Sequence, residues 1–262
     1  MNVIESIILG AVQGLTEFLP VSSSGHLQIA KALLGVHIDE NITFDVTLHA
    51  ATVLSTIVVM WRELWRLLCG VFSRRFSEEQ AYVLKIIVSM IPAGVVGVLF
   101  ADRIEELFSS LAFVGAMLLV TAALLAFAYY AKPRQKERIS YRDAFIIGVA
   151  QAAATMPGLS RSGSTIATGL LLGNRKETVA EFSFIMVIPV ILGKMLLDIM
   201  SGEMTAISVG AAPLAAGFIA AFVTGAFACK FMIETVKRGK LIWFAAYCAA
   251  AGAVAIIGAV AA

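Results

Sequence analysis

The chain has 262 residues, of which 60% are hydrophobic and only 15% are charged, and its mean hydropathy is +0.89. Water-soluble globular domains carry about 45–50% apolar and about 25% charged residues, so this composition excludes a water-soluble fold. The formal net charge of +2 favours neither a nucleic-acid partner nor an acidic tail. We therefore predict an all-α polytopic membrane protein.

Six apolar segments are long enough to cross a bilayer, which takes about 20 helical residues. In chain order they are Ile42–Trp61, Ala81–Ala101, Leu111–Ala131, Phe182–Met200, Ile207–Cys229 and Leu241–Ala262. Polar groups interrupt three of them. We interpret Asp45 and His49 in the first segment as pocket or packing residues. Lys85 lies near one end of the second segment, and in the fourth we expect Lys194 to pair with Asp198, four residues further along the helix.

Two further apolar stretches, Ile4–Leu34 and Ala144–Leu172, are interrupted in the middle by proline, glycine and a cluster of serines. Neither half of either stretch is long enough to cross the bilayer comfortably. Two short helices that enter and leave on the same side keep their backbone groups paired better than one broken span does. Both stretches are therefore predicted to be re-entrant helical hairpins.

The basic residues agree with six spans and two hairpins that do not cross. If the loop after Trp61 is cytoplasmic, the inside segments hold most of the 20 lysines and arginines, whereas the outer loop Asp102–Ser110 is acidic. Cytoplasmic loops typically carry such a positive excess. The distribution places both termini on the outer side.

The two hairpins match each other at a constant offset of 138 residues, with nine identical positions between Glu5–Gly35 and Asp143–Gly173. We therefore predict two repeats, residues 1–137 and 138–262, each with one hairpin (about 2–35 and 140–173) followed by three spans. Because three is odd, the second repeat is inverted, so the first hairpin dips from outside, the second from inside, and their tips meet. Broken helices in inverted repeats are typical of a site at the repeat interface.

The hairpin tips carry charges that a bilayer accommodates poorly. The first tip reads QGLTEFLPVSSSGH from Gln13 to His26, and the second reads PGLSRSGST from Pro157 to Thr165. A charge near the bilayer centre costs about 2.5–3.5 kcal/mol, so Glu17 and Arg161 need partners or a ligand. Mutual neutralisation is one alternative, but it leaves the serines, glycines and histidine without a role. For the matched glycines away from the tips, close helix packing is the simpler explanation.

The second tip is suited to an anion because free N–H groups at a helix N-terminus, with the positive end of its dipole, bind phosphate. Arg161 adds planar, bidentate donors. The candidate phosphate contacts on the two tips are Ser22, Ser24, Gly25, Ser160, Ser162, Gly163 and Thr165. Two positive helix ends and one arginine predict an anion with more than one phosphate. The GxxxxGK[ST] pattern of nucleotide hydrolases is absent from the sequence.

The first tip supplies candidate metal ligands and a candidate nucleophile. Gln13 and Glu17 are four residues apart and share one helical face. An amide and a carboxylate oxygen, together with phosphate, hold Mg²⁺ or Ca²⁺. Ser23 and His26 are three apart at a helix start, which permits a serine nucleophile with an imidazole base, or an imidazole that itself attacks phosphorus.

The first tip resembles the [EQ]GxTEFLPxSSxGH block of the bacterial undecaprenyl-diphosphatases, the bacitracin-resistance family, and the second resembles their PGxSRSxxT block. The likeness covers nearly the whole chain, including the FxFxxxxP run at Phe182–Pro189. It implies an inner-membrane, multi-pass phosphatase that uses a divalent cation and converts undecaprenyl pyrophosphate to undecaprenyl phosphate. That activity recycles the lipid carrier for cell-wall synthesis and confers bacitracin resistance. The resemblance also implies six spans, two re-entrant hairpins in inverted repeats, and a site that opens to the periplasmic side.

By resemblance the functional residues are Gln13, Glu17, Ser23, His26 and Arg161. The family block allows either glutamate or glutamine at the position of Gln13. Because the residue here is glutamine, metal binding or the role of general base is expected to fall to Glu17. A flippase or transporter of a lipid-linked phosphate is the rival function, because inverted repeats are common in alternating-access transporters. A structural scaffold would leave the buried charges unexplained. The oligomeric state stays open, with a homodimer among the alternatives.

Overall fold

The computed structural model describes residues 1–36, 42–108, 110–131, 135–200 and 209–261. These residues are helical apart from turns and one isolated bridge between Lys136 and Asn174. The helices are α1 (Val3–Phe18), α2 (Ser23–Leu34), α3 (Ile42–Val59), α4 (Trp61–Val71), α5 (Glu78–Leu99), α6 (Ala101–Phe108), α7 (Leu111–Tyr130), α8 (Tyr141–Ala153), α9 (Arg161–Leu171), α10 (Lys176–Met200), α11 (Ala211–Lys237) and α12 (Ile242–Ala261).

Five of these helices, α5, α7, α10, α11 and α12, are long and apolar enough to cross a membrane. A sixth candidate consists of α3 and α4, which bend by 81° at the break between Val59 and Trp61. The chain is thus an all-helical, multi-pass membrane protein, as predicted. The fifth predicted span begins at Ile207, which lies outside the described residues. The expected pair of Lys194 with Asp198 involves the Asp198 side chain, which also lies outside what the structure describes.

Serine and asparagine side chains fix where five of the described helices begin. Asn2, Ser77, Ser110, Ser140 and Ser160 each accept a hydrogen bond from the backbone N–H three residues further on. This bond satisfies one of the N–H groups that a helix start leaves unpaired. The caps place the first turn of α8 and α9, and hence both arms of the second hairpin.

Close helix crossings hold the two hairpins. α1 lies along α11, and α8 lies along α5. A Cβ on Gly10 of α1 would lie 2.3 Å from the carbonyl oxygen of Gly217, and one on Gly148 of α8 would lie 2.3 Å from that of Ser89. Any side chain at either glycine would force its helix pair apart. Close packing is therefore the role of this matched pair.

The largest cluster of buried hydrophobic side chains lies around the hairpin tips. It includes Phe18 at the end of α1, Val114 of α7 and Phe184 of α10. The Phe18 and Phe184 ring centroids are 5.9 Å apart. Val114 lies against both tips, since a Cβ on Gly25 or on Gly158 would contact it. The core thereby fixes the two tips against one another.

Candidate active site

An ion pair joins the two hairpin tips. Glu17, near the end of α1, accepts a hydrogen bond at Oε1 from Nη2 of Arg161, the first residue of α9. The Glu17 side chain is 3% exposed and that of Arg161 is 22% exposed. Such a desolvated carboxylate requires a compensating partner. Mutual neutralisation of the two charges, which the sequence left as one alternative, is thus present. Among the described residues it leaves most of the five guanidinium N–H donors available for another acceptor.

The second oxygen of Glu17 gathers two more groups of the first tip. Oε2 accepts hydrogen bonds from the Ser23 hydroxyl at 2.8 Å and from the Gln13 side-chain amide at 2.9 Å. Gln13 and Glu17 share one helical face, as predicted. The chain turns at Pro20 and brings Ser23, the first residue of α2, back onto the carboxylate. Glu17 is thus the centre of the site.

His26 bonds to a different set of groups. Its Nδ1 lies 2.8 Å from the carbonyl oxygen of Ser22, and its Nε2 lies 2.6 Å from the Tyr247 hydroxyl. The sequence left His26 open as the base for Ser23, but in the structure the basic group that contacts the Ser23 hydroxyl is Glu17. Ser22 itself has φ 70°, a conformation that residues other than glycine adopt rarely and that concentrates at functional sites.

The hydroxyls of the second tip hold the tips in place. The Ser160 hydroxyl accepts the N–H of Gly163 at 3.1 Å and so caps α9. Ser162 donates to the carbonyl oxygen of Leu19 in the first tip at 3.1 Å. Thr165 donates to the carbonyl oxygen of Arg161 at 2.9 Å. These residues therefore position Arg161 and the first tip, and they would contact phosphate only by exchanging a bond.

The remaining predicted phosphate contacts lie where the two tips approach each other. The Ser22 and Ser24 hydroxyls are 3.3 Å apart. A Cβ on Gly163 would lie 3.2 Å from the side chain of Pro20, and one on Gly25 would lie 3.2 Å from that of Val114. Gly163 thus allows the second tip to approach the first closely, and Gly25 allows the first tip to approach α7, so a larger residue at either position would require its neighbour to shift.

A small cavity lies beside the ion pair. Polar side chains of Glu17 and Arg161 line it together with the apolar side chains of Phe184, Val187 and Ile191 of α10. Thr52 and Thr56 of α3 also line it. The ion pair therefore borders both hydroxyl groups and apolar side chains.

One carboxylate and one amide are the candidate metal ligands. Among the residues that the structure describes, there is no group of three or more histidine, cysteine, aspartate or glutamate side chains that could hold a metal ion. Within the same residues, however, Oε1 of Gln13 is buried without a hydrogen-bond partner. An amide oxygen beside a carboxylate fits Mg²⁺ or Ca²⁺ when the substrate phosphates supply further oxygens.

Comparison with known proteins identifies the family of the chain. The family described as "Bacitracin resistance protein BacA" matches residues 6–254. The chain belongs to this family. It is 61% identical over 260 residues to the undecaprenyl-diphosphatase of Parabacteroides distasonis and 58% identical over 261 residues to that of Bacteroides fragilis. The undecaprenyl-diphosphatase of Christiangramia forsetii is 52% identical over 260 residues. Each match covers 98% of both chains, and the predicted family resemblance is confirmed.

Three residues near the site of this family member were not predicted as site residues. Thr52 and Thr56 are 1% exposed and bond to carbonyl oxygens of their own helix, so in the sequence they are indistinguishable from ordinary residues of a membrane helix. Tyr247 reaches His26 from α12, 221 residues away. A tyrosine hydroxyl inside an apolar span requires a polar partner, and that requirement is the one signal that could have identified it.

The polar residues of α3 belong to the support of the first hairpin. Lys31 of α2 is buried, and its Nζ lies 2.8 Å from each carboxylate oxygen of Asp45. His49 places its Nδ1 2.8 Å from the carbonyl oxygen of Asp45. The interpretation of Asp45 as a packing residue is therefore refined: it forms the ion pair that ties α2 to α3.

Proposed function

We propose that the chain is an integral membrane phosphatase that hydrolyses undecaprenyl pyrophosphate to undecaprenyl phosphate and inorganic phosphate. The convergence of a hydroxyl, a carboxylate and a guanidinium at Ser23, Glu17 and Arg161 is the observation that carries this proposal. The named activity of the relatives from Parabacteroides distasonis and Bacteroides fragilis supports the choice of substrate. The reaction would return the lipid carrier to cell-wall synthesis and confer resistance to bacitracin, which sequesters the substrate.

In the mechanism we propose, the Ser23 oxygen attacks the terminal phosphorus while Glu17 accepts the hydroxyl proton. The bond from that phosphorus to the bridging oxygen breaks, and the electron pair leaves with undecaprenyl phosphate. Water then hydrolyses the phosphoserine, which releases inorganic phosphate and restores the hydroxyl. Arg161 donates hydrogen bonds to the equatorial oxygens of the transferred group, where charge accumulates.

Three hydrogen bonds favour Ser23 over His26 as the nucleophile. The hydroxyl of Ser23 already contacts a base, Glu17. Both ring nitrogens of His26 are engaged, one with the Ser22 carbonyl and one with the Tyr247 hydroxyl. Attack by His26 would first require the loss of one of these bonds, whereas attack by Ser23 requires only a proton transfer along a bond that exists.

We further propose that Glu17 and Gln13 hold the divalent cation, Mg²⁺ or Ca²⁺. The buried Oε1 of Gln13 supports this assignment, since among the described residues it has no hydrogen-bond partner. When bound, the cation would supply positive charge beside the pyrophosphate. The side-chain amide nitrogen of Gln13 donates a hydrogen bond to Glu17. The Gln13 side chain would therefore orient the base through its nitrogen and bind the cation through its oxygen.

The architecture we propose is six spans and two re-entrant hairpins, in inverted repeats over residues 1–137 and 138–262. Matched helices make matched contacts, which supports it. If α1, α3, α5 and α7 correspond to α8, α10, α11 and α12, the contact of α1 with α11 corresponds to that of α8 with α5. The same correspondence exchanges α3 with α10 and α7 with α12, so the contact within each of these two pairs is its own counterpart. Gly10 and Gly148 each permit one of the corresponding crossings.

We propose that the protein lies in the inner membrane with its site open to the periplasmic side. Cys69 on α4 tests the orientation, because it is the exposed member of the three cysteines, whereas Cys229 and Cys248 are buried. A membrane-impermeant maleimide should label Cys69 in inside-out vesicles and leave it unlabelled in right-side-out vesicles. The reverse pattern would contradict the orientation, and Cys69→Ala is the control for specificity.

Phosphate release from a long-chain prenyl pyrophosphate tests the proposed activity. Purified protein in detergent should release inorganic phosphate with Mg²⁺, and a chelator should stop the reaction. A flippase or transporter of a lipid-linked phosphate would release none, because binding and movement leave the phosphoanhydride intact. Ser23→Ala protein purified in parallel controls for a contaminating phosphatase.

A further inference from the structure

Two neighbouring residues of α12 hold the two ends of the first hairpin tip. The thiol of Cys248 donates to the carbonyl oxygen of Pro20 at 3.2 Å, just before the turn. The hydroxyl of Tyr247 lies 2.6 Å from Nε2 of His26, in the first turn of α2 beyond it. Between these two anchors lie Ser22 and Ser23. A helix from the far end of the chain therefore spans the segment that carries the proposed nucleophile.

The contacts of His26 indicate which ring nitrogen carries the hydrogen when the ring is neutral. A carbonyl oxygen only accepts hydrogen bonds, so Nδ1, 2.8 Å from the Ser22 oxygen, carries the hydrogen. In the neutral ring Nε2 is then an acceptor, and the Tyr247 hydroxyl donates to it. The two rings also stack, with centroids 5.6 Å apart and planes 20° from parallel. Hydroxyl, imidazole and carbonyl thus form a single directed chain.

The end of this chain is the residue under backbone strain. Ser22 has φ 70°, a conformation that is strained for a residue with a side chain and persists only when the surroundings hold it. His26 holds the Ser22 carbonyl, and Tyr247 holds His26. Ser23 follows directly, and its hydroxyl must lie on Glu17 for the proposed attack.

We propose that Tyr247 is a positioning residue that acts through His26. Its hydroxyl fixes one tautomer and one orientation of the imidazole, and the imidazole in turn fixes the backbone from which Ser23 reaches Glu17. The functional part of this proposal rests on the phosphatase activity proposed above. The contact between Tyr247 and His26 is independent of that activity.

Tyr247→Phe is the variant that tests the role, because it removes the hydroxyl and keeps the stacked ring. The protein has three histidines, so ¹⁵N-histidine labelling in lipid bilayers gives a resolvable set of ring resonances. We expect Nε2 of His26 to shift in Tyr247→Phe while Nδ1 stays protonated. Tyr130→Phe, on the exposed last residue of α7, is the matched control and should leave all three histidines unchanged.

Kinetics supply the second readout. Loss of one hydrogen bond that orients the site should lower kcat by about 3- to 10-fold, with KM unchanged because Tyr247 does not bind the substrate. An unmoved Nε2 resonance, or a His26 protonated at both nitrogens in the wild-type protein, would overturn the assigned contact. A raised KM with unchanged kcat, or an unchanged kcat despite a shifted resonance, would overturn the positioning role. Inactive wild-type protein would instead contradict the phosphatase proposal and leave the resonance test valid.

Discussion

The Ser23 hydroxyl donates to Oε2 of Glu17 at 2.8 Å, although the Pro20 turn separates the two residues in the chain. A hydroxyl on a buried carboxylate is the arrangement that serine needs for activation, because its own acidity is too low for attack at neutral pH. Four further relationships in the structure lead, with this one, to separate experiments.

Ser23→Ala should lower the rate of phosphate release by at least about 10³-fold, since loss of a nucleophile removes the covalent route entirely. Thr47→Ala is the matched control, because among the described residues its hydroxyl bonds only within its own helix, to the carbonyl oxygen of Thr43 at 2.7 Å. The control should keep nearly full activity. A Ser23→Ala protein of similar activity would mean that another group attacks.

The covalent intermediate itself distinguishes the two candidate nucleophiles. Rapid acid quench of enzyme with a substrate labelled on its terminal phosphate should trap an acid-stable phosphoserine at Ser23. A phosphohistidine at His26 would be acid-labile and survive alkali instead. An acid-labile phosphohistidine would contradict the assignment of Ser23 as the nucleophile, which rests on the hydrogen bonds. In the same assay His26→Ala should be nearly inactive yet folded, because the Ser22 carbonyl keeps the bond from the backbone N–H of residue 26 and loses the one from the imidazole.

Removal of Arg161 should affect stability and activity separately. Arg161→Ala leaves the buried carboxylate of Glu17 unpaired, which we expect to cost about 3–5 kcal/mol of the free energy of unfolding and to lower Tm. It should also slow phosphate release by about 10²–10³-fold, through loss of a charge-stabilising donor. The double variant with Glu17→Gln removes the unpaired charge, so its Tm should recover while its activity stays lost. A double variant no more stable than Arg161→Ala would show that the pair is not what holds the tips.

The Lys31–Asp45 pair should matter for folding and not for chemistry. Asp45→Ala leaves the buried Lys31 ammonium without its carboxylate and should cost about 2–4 kcal/mol, less than for a fully buried pair since the Asp45 side chain is 35% exposed. Thermal unfolding in detergent measures the loss. Lys31→Met with Asp45→Leu should restore most of it, because apolar side chains replace both charges. Absence of any recovery would contradict the ion-pair explanation.

Gly158 tests how closely the second tip approaches α7. Its φ is +89°, and a Cβ there would lie 2.3 Å from the carbonyl oxygen of Val114. Gly158→Ala should therefore lower the free energy of unfolding by about 2–4 kcal/mol and displace Arg161. Gly97→Ala on α5, where the described residues leave open space around the Cβ position, should be neutral or slightly stabilising. Equal Tm values for the two variants would contradict the close approach.

Local patterns in the sequence predicted the residues at the tips and the helices other than α4 and α6, since apolar runs and their interruptions are local properties. The predicted outer loop Asp102–Ser110 contains most of helix α6, Ala101–Phe108. The offset between the hairpins also paired Gly10 with Gly148. In the structure each of these glycines packs against a backbone carbonyl of a neighbouring helix. Contacts between distant parts of the chain were beyond this reasoning. Tyr247 and His26 are 221 residues apart, and only packing of α12 against the first tip brings them together.

The end of the first span shows a second limit. The apolar run predicted a helix through Trp61, whereas α3 ends at Val59 and α4 leaves it at 81°. Hydropathy averaged over a window does not register a change of direction. The alternation of tryptophan and arginine from Trp61 to Arg66 is the local signal of a surface helix, because the aromatic and charged faces of such a helix separate.

The salt bridge between the tips has a consequence for how turnover ends. Any anion that binds Arg161 shares the guanidinium with the Glu17 carboxylate that is already bound there. The negative charge of Glu17 weakens the hold of Arg161 on orthophosphate, so it hastens departure of the spent anion and resets the enzyme. Orthophosphate should accordingly be a weak product inhibitor, with an inhibition constant well above the KM for the lipid.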